Sequence, residues 1–289
     1  MIGVEWGSNL FRAWRFASDG AIRDSRSAPR GLLSVPNLRF SDTLREELGR
    51  WIAGGEDRVL ICGPLGIWRS APPVQCPCGA AEIASALFPV PFDWAKVRLV
   101  PPIRYADPEA AGSETGVGET GAGEETRLLG AAAAIGGNGL LCLPGPLSCW
   151  ARFVDGRVTA LSTFLTGEAF AALRGPLLGR ATRDAPLGPP GFDDGVARAG
   201  DPGGLLRQLA ALRAEAAHPD AAARLFGLLV GHEVRAALTL HEEVHLVGAA
   251  EPCALYARAI AANGGTALPP ARDTVADGLA LIGAAADWT

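Results

Sequence analysis

Met1-Ile-Gly-Val-Glu-Trp-Gly-Ser-Asn-Leu-Phe-Arg-Ala-Trp-Arg-Phe16 is the stretch on which the fold turns. Ile2 to Trp6 is short and apolar and reads as a strand. Gly7-Ser8-Asn9 is turn chemistry, and Leu10 to Phe16 resumes as a second strand, its apolar run interrupted by Arg12 and Arg15. A turn at Asp19-Gly20 suits a hairpin into a third strand. Glu5, two residues before the Gly-Ser turn, is placed to hold a hydrated metal beside the backbone N–H groups of Gly7, Ser8 and Asn9, aimed at a phosphate. The plain alternative is an N-terminal hairpin with an edge carboxylate.

The arrangement occurs a second time. Gly139-Leu-Leu-Cys-Leu-Pro-Gly-Pro-Leu-Ser-Cys-Trp-Ala-Arg-Phe-Val-Asp-Gly-Arg-Val158 is again strand, Gly-containing turn, strand, Asp-Gly turn, strand. Identity between the two copies is low, so architecture is repeated rather than sequence. Two α/β halves, 1–137 and 138–289, each with a phosphate-sized turn, would face a nucleotide from both sides of a cleft.

A chain of 289 residues, 48% hydrophobic and 20% charged, has the composition of a globular protein with ample core. The net charge of −5 argues against nucleic acid or an anionic membrane as partner. Lys96 is the only lysine, which removes the Gly-Lys-Ser/Thr phosphate loop. Six scattered cysteines and no basic-then-apolar opening point to reduced thiols and the cytoplasm. The charge-free run Leu128 to Ala151 is interrupted by Gly and Pro, so it reads as a small-residue helix and a buried strand, not a membrane span.

Along the chain, Thr43 and Glu46 form a capping-box pattern that starts a helix ending near Ile52. A strand at 58–62 leads into a Gly/Pro loop to residue 73. A short helix at 80–87 and a strand at 97–100 follow. Residues 106–123 are polar, Gly-rich and acidic, a hinge or mobile loop. An Ala-rich helix starts at Glu124. In the second half, Thr166-Gly-Glu168 enters a helix, 180–193 is a Pro/Gly connection, and long helices cover 203–217 and 220–240. A strand at 244–248, a helix at 252–262 and a last helix at 274–286 close an α/β pattern in both halves.

Four motifs are weighed against plainer readings. His241-Glu-Glu-Val-His245 matches a zinc-protease pattern, but His245-Leu-Val-Gly reads as a strand, and Met1 is the only methionine, so no Met-turn exists. A helix-to-strand corner is the better account. Cys76-Pro-Cys78 lacks a second ligand pair and reads as a structural loop. Gly248 and Ala249, between a strand and a helix N-terminus, could take an adenosine or phosphate group. Glu124 and Glu125 open a helix, where acids stabilise the dipole anyway. The functional reading makes Glu124 a general base.

Taken together, these residues resemble the 2-dehydro-3-deoxygalactonate kinases of the actin/hexokinase/sugar-kinase superfamily. The segments that carry the resemblance are the opening strand and turn, the Gly63 to Pro72 loop, Gly123-Glu-Glu-Thr-Arg-Leu-Leu-Gly-Ala131, Pro144-Gly145 with Trp150, and Thr163-Phe-Leu-Thr-Gly-Glu168. Gly227-Leu-Leu-Val-Gly-His-Glu233 and Leu246-Val-Gly248 with Cys253-Ala-Leu-Tyr256 complete them. The resemblance covers nearly the whole chain. It implies two actin-like, ribonuclease H-like domains around a nucleotide cleft. The implied reaction is transfer from ATP, with Mg²⁺, to the terminal C6 hydroxyl of a 2-keto-3-deoxy sugar acid. Gly7, Ser8, Asn9, Gly145, Ser148, Gly248 and Ala249 would contact ATP, Glu5 would hold Mg²⁺ through water, and Glu124 would take the hydroxyl proton. Gly66, Trp68, Arg69 and Arg104 are candidates for the sugar acid, the arginines for its carboxylate. The partners are these small molecules, with a homodimer left open.

The chain also departs from the family pattern. The family's first-turn Asp is Glu5 and its following Thr is Asn9. The second turn, Pro144-Gly-Pro-Leu-Ser-Cys-Trp150, lacks the family's Thr, His and Lys, and Pro146 has no N–H to donate. The Gln after Gly-Glu-Glu-Thr is Arg127. The alternative to an active kinase is therefore a catalytically impaired homologue that binds sugar acid or nucleotide.

Overall fold

The computed structural model describes residues 1–36, 39–64, 72–106, 117–120, 123–179, 185–271 and 273–289. The opening stretch forms β1 (Ile2–Trp6), β2 (Phe11–Phe16) and β3 (Ile22–Ala28), an antiparallel meander. β4 (Arg58–Cys62) then pairs parallel to β1, and β7 (Lys96–Leu99) parallel to β4. With β6 (Phe88–Val90) at the edge, the sheet order is β3-β2-β1-β4-β7-β6. The repeat builds a second sheet in the same sense. β10 (Gly139–Leu143), β11 (Ser148–Val154), β12 (Arg157–Phe164), β13 (Glu243–Val247) and β14 (Thr266–Ala271) lie in the order β12-β11-β10-β13-β14. Both sheets thus run third, second, first, fourth, then a later parallel strand, which is the ribonuclease H-like order twice over. Asp155 and Gly156 both take positive φ, as a two-residue hairpin turn of the primed type requires.

The described chain resolves into two compact units. One contains residues 1–138, 151–161 and 273–289, and the other contains 139–150 and 162–272. In the first, Ile2, Val4, Trp6, Phe11, Val59 and Ile61 are fully buried. They pack under α1 (Phe40–Ala53), with Trp6 edge-on to Phe11 at 5.6 Å and to Phe40 at 5.8 Å. That contact explains a correction. The helix starts at Phe40 rather than at a Thr43 cap, because burying Phe40 against Trp6 extends it by most of a turn, and Thr43 becomes an interior, buried residue.

The first unit also holds α2 (Ala80–Ser85), α3 (Glu124–Ala134), α9 (Val275–Ala285) and a small sheet β5-β8-β9. Its strands are Val74–Gln75, Ile103–Ala106 and Val117–Glu119, the last falling inside the segment expected to be a loop. The remainder of that loop, at 107–116 and 121–122, lies outside the described residues, as do Gly66, Trp68 and Arg69.

The second unit adds α4 (Thr166–Leu178), α5 (Gly191–Arg198), α6 (Gly204–Ala214), α7 (Ala221–Ala237) and α8 (Ala250–Ala262). Helix α5 falls largely beyond the expected Pro/Gly connection and is not legible from periodicity. Glycines on both helices serve its close packing on α7: a Cβ on Gly195 of α5 would lie 2.2 Å from the Arg224 carbonyl oxygen, and one on Gly227 of α7 would lie 2.0 Å from that of Phe192. The α5–α7 contact is thus built backbone to backbone, with Phe192 and Val196 buried beneath it. Among the described residues no helix is long and apolar enough to cross a membrane. The charge-free run is α3 followed by β10, as expected.

Candidate active site

The first turn is held from behind. Gly7 donates its N–H to the Leu10 carbonyl (2.9 Å), while Leu32 and Leu33 donate to the carbonyls of Gly7 (2.9 Å) and Ser8 (3.0 Å). The Gly7 N–H is therefore spent inside the turn. Ser8 and Asn9 are exposed.

Helix α3 is brought to the end of β1 by two glycines in left-handed or extended positive-φ conformations. Gly63, at φ 144° after β4, sits so close to the Trp6 carbonyl that a Cβ would lie 2.3 Å from it. Gly123, the N-cap of α3 at φ 91°, lies against Gly63. Only glycine fits such a junction. From the other side Thr274 Oγ1 donates to the Arg127 carbonyl at 2.7 Å. The first turn of α3 is thereby fixed in the first unit, and with it Glu124, Glu125 and Arg127.

Glu124 is the first helical residue and half-buried. Glu125, 2% exposed, is hydrogen-bonded by Thr126 Oγ1 at 3.3 Å. Burial, then the charge of Glu124, pushes its carboxyl up to about 7. The consequence for stability has a definite sign. The unfolded carboxyl ionises near its ordinary value, while the folded one keeps its proton to about 7. The folded state therefore binds more protons between these values, and stability falls as pH rises through that window and is flat above it. Glu125→Gln should be more stable than wild type at pH 8 by on the order of 2–3 kcal/mol, and little different at pH 4. Urea melts of both proteins at the two pH values measure this. A gap that is the same at both would remove Glu125 as its source.

Glu5 is only 15% exposed and both its oxygens are engaged. Oε1 accepts from Arg127 Nη2 at 2.7 Å, and Oε2 accepts from Arg12 Nε at 2.5 Å. Arg12 is also ion-paired with Asp273. This four-residue network joins β1, β2, α3 and the segment leading to α9. It does not fit a carboxylate reserved for hydrated Mg²⁺. Among the described residues no group of three or more His, Cys, Asp or Glu could hold a metal. Arg104, on β8, is paired across the strand with Glu119 at 2.6 Å.

In the second unit, the Gly145 turn is braced by α4. A Cβ on Gly167 would lie 2.6 Å from the Gly145 carbonyl oxygen, and Glu168 donates its N–H to the Pro146 carbonyl at 3.0 Å. Ser148 is fully buried, with its hydroxyl turned inward toward the Phe164 carbonyl. Beneath it lies Glu233 of α7, 3% exposed. Its oxygens accept from Trp150 Nε1 and Tyr256 OH, both at 2.8 Å, and lie within hydrogen-bonding reach of the Thr166 and Ser148 hydroxyls. Burial raises the Glu233 carboxyl and these donors oppose the shift. Gly248, at φ 135°, and Ala249, the N-cap of α8, form the expected strand-to-helix turn.

The zinc pattern is not a helix. His241 sits in a turn at φ 63° and His245 in β13 beside Leu141 and Leu268, so the two imidazoles do not share a helical face. Cys76 and Cys78 have sulfurs 3.7 Å apart and are both unpaired by disulfides.

Sequence reasoning brought together Glu5, the Gly7 turn and Glu124. It did not connect Arg12, Arg127 and Asp273 to Glu5, nor Glu233 to the second turn. Arg127 was visible as a departure from Gln, and Glu233 closed one of the quoted segments. Asp273, far along the chain, carried no signal.

A model of the 2-keto-3-deoxy-galactonokinase family matches residues 5–282. The chain is 33% identical over 278 residues to the probable 2-dehydro-3-deoxygalactonokinase DgoK1 of Rhizobium meliloti (strain 1021), covering 90% of this chain and 89% of that one. It is 25% identical over 285 residues to 2-dehydro-3-deoxygalactonokinase of Escherichia coli (strain K12), covering 94% and 93%. A crystal structure from Sinorhizobium meliloti, assigned as a 2-dehydro-3-deoxygalactonokinase protein, superposes with a TM-score of 0.82 at 30% identity, covering 97% of both chains.

Proposed function

The chain belongs to the 2-keto-3-deoxy-galactonokinase family, and from that premise we propose that it transfers the γ-phosphoryl group of ATP to the C6 hydroxyl of 2-dehydro-3-deoxy-D-galactonate or a close 2-keto-3-deoxy sugar acid. It is a sugar-acid kinase. The observation that carries the reading is the family match over nearly the whole chain, joined to a carboxylate, Glu124, held at a helix start beside the first turn.

In this reading Glu124 takes the hydroxyl proton as the sugar oxygen bonds to the γ-phosphorus, and the bond from that phosphorus to the bridging oxygen breaks, releasing ADP. The Ser8 and Asn9 N–H groups and the Gly145 turn cradle phosphates, and Gly248 and Ala249 face the adenosine. Ser148 acts from beneath the turn, since its hydroxyl is buried. The expected split at 137/138 is corrected by the chain's return into the first unit at 151–161 and 273–289: the first unit supplies the sugar-acid side and the first turn, and the second unit, 139–150 and 162–272, the second turn and the adenosine side. Arg104 would bind the substrate carboxylate in competition with Glu119, and Arg69, just after Gly66 and Trp68 in sequence, is the other candidate. MgATP is the substrate form, its cation carried by phosphate oxygens and water. None of the six described cysteines forms a disulfide, which suits the reducing cytoplasm.

The test is ATP consumption by the purified protein with Mg²⁺ and 2-dehydro-3-deoxygalactonate, with the product identified by phosphorus–proton NMR. A C6 phosphate is the expected product. Saturable binding of ATP or sugar acid without turnover would favour the impaired homologue, whose basis would be the Pro146 turn.

A further inference from the structure

Glu5 holds two guanidinium groups, and it holds them unequally. Arg12 is fixed on several sides: it is ion-paired with Glu5 and Asp273, and its guanidinium lies 5.2 Å over the Trp14 ring. Arg127 has Glu5 as its one ion-pair partner among the described residues, through Nη2 at 2.7 Å, and its side chain is 32% exposed. A guanidinium has five N–H donors in a planar fork, and among the described residues the side chain of Arg127 is bonded only to Glu5, through Nη2. Arg127 also stands three residues after Glu124 on α3, the spacing that places two side chains on one helical face. Glu5 itself ends two residues before the Gly7 turn.

We propose that Arg127 is this chain's phosphate-contacting arginine, aimed by Glu5 at the phosphoryl group in transit, and that Glu5 is a positioning residue rather than the carrier of a hydrated cation. This rests on the kinase reading above. As the phosphoryl group passes from the bridging oxygen to the sugar oxygen, negative charge spreads over its three equatorial oxygens. Arg127 donates hydrogen bonds to those oxygens with one edge of its fork while the other stays on Glu5, and it transfers no proton. A dication bound directly at Glu5 would be set against two adjacent positive charges. A phosphate brought to Arg127 meets an attractive one and leaves the pair intact. The family position that resembles a neutral Gln is charged here.

Isothermal titration of ATP, with Mg²⁺ and with EDTA, tests this on wild type, Arg127→Gln, Arg127→Lys and Glu5→Gln, alongside steady-state rates. Arg127→Gln is expected to lose about tenfold or more in affinity for Mg²⁺-free ATP and about 10³-fold in kcat. Arg127→Lys keeps the charge and the ion pair, so it retains most of the affinity. It recovers only part of kcat, because an ammonium cannot span two oxygens. Glu5→Gln lowers kcat with ATP affinity nearly unchanged and leaves the Mg²⁺ midpoint where it was. Arginine variants that match wild type in both nucleotide titrations and in kcat overturn the proposal, as does a Glu5→Gln protein whose Mg²⁺ midpoint rises steeply. A wild type that binds neither form of ATP removes the kinase reading and this one with it. A wild type that binds MgATP, with Arg127→Gln indistinguishable from it, removes this one alone. Should Arg127→Gln fail to fold by circular dichroism, Arg127→Lys carries the test.

Discussion

Glu124→Gln is expected to lower kcat by about 10²–10⁴-fold while ATP affinity and the unfolding midpoint stay near wild type. The size follows from the role. Without a proton acceptor the sugar hydroxyl must attack while still protonated, which raises the barrier to the chemical step but not the cost of binding. The variant keeps an uncharged side chain of the same length at the first helical position, where the dipole interaction given up is worth about 0.3–1 kcal/mol. Glu124 is half-buried at the α3 start, whereas Glu125 is sealed in beneath it. The comparison of the two Gln variants is therefore informative. Loss of kcat in Glu124→Gln with activity kept in Glu125→Gln assigns the base. The reverse pattern would discard Glu124, and equal, small effects would discard both.

Glu233→Ala is expected to destabilise the protein by about 3–5 kcal/mol. Truncation strips the acceptor from Trp150 Nε1–H and Tyr256 O–H, each buried in apolar surroundings, and leaves a cavity beside Cys142, Trp150 and Tyr256. An unsatisfied buried donor costs about 1–3 kcal/mol, so two of them and the cavity account for the range. The diagnostic measurement is a double-mutant cycle by urea denaturation. Trp150→Phe should cost less in the Glu233→Ala background than in wild type, because its partner is already gone. Strict additivity would mean that the indole does not depend on Glu233. The second turn should loosen in parallel, since Ser148 and Thr166 lose the same acceptor.

Much of the candidate site was legible because it is local. A strand that ends in Glu-Trp-Gly-Ser, and a helix that begins Gly-Glu-Glu-Thr, state their own geometry through period, turn residues and capping preference. The repeat of hairpins was legible for the same reason, and the two sheets carry it in matching strand order. What escaped was every feature set by a partner far along the chain. Helix α5 has two glycines in eight residues and no persuasive period; it is a helix because α7 offers a backbone groove that only Gly191 and Gly195 can enter. The start of α1 moved because Phe40 found Trp6.

By itself, then, the amino-acid sequence determined the two-fold α/β pattern, the two Gly-containing turns and the carboxylate at the start of α3, since each depends on residues within a few positions of one another. The tertiary structure alone decided what Glu5 does. Its neighbours Arg12, Arg127 and Asp273 come from β2, α3 and the entry to α9, and no local rule brings them together. It likewise decided that Ser148 faces inward to Glu233 rather than outward. The physical reason is common to both. Charge and hydrogen-bond pairing act over a few ångströms of space, and only the folded chain sets which side chains lie within that distance.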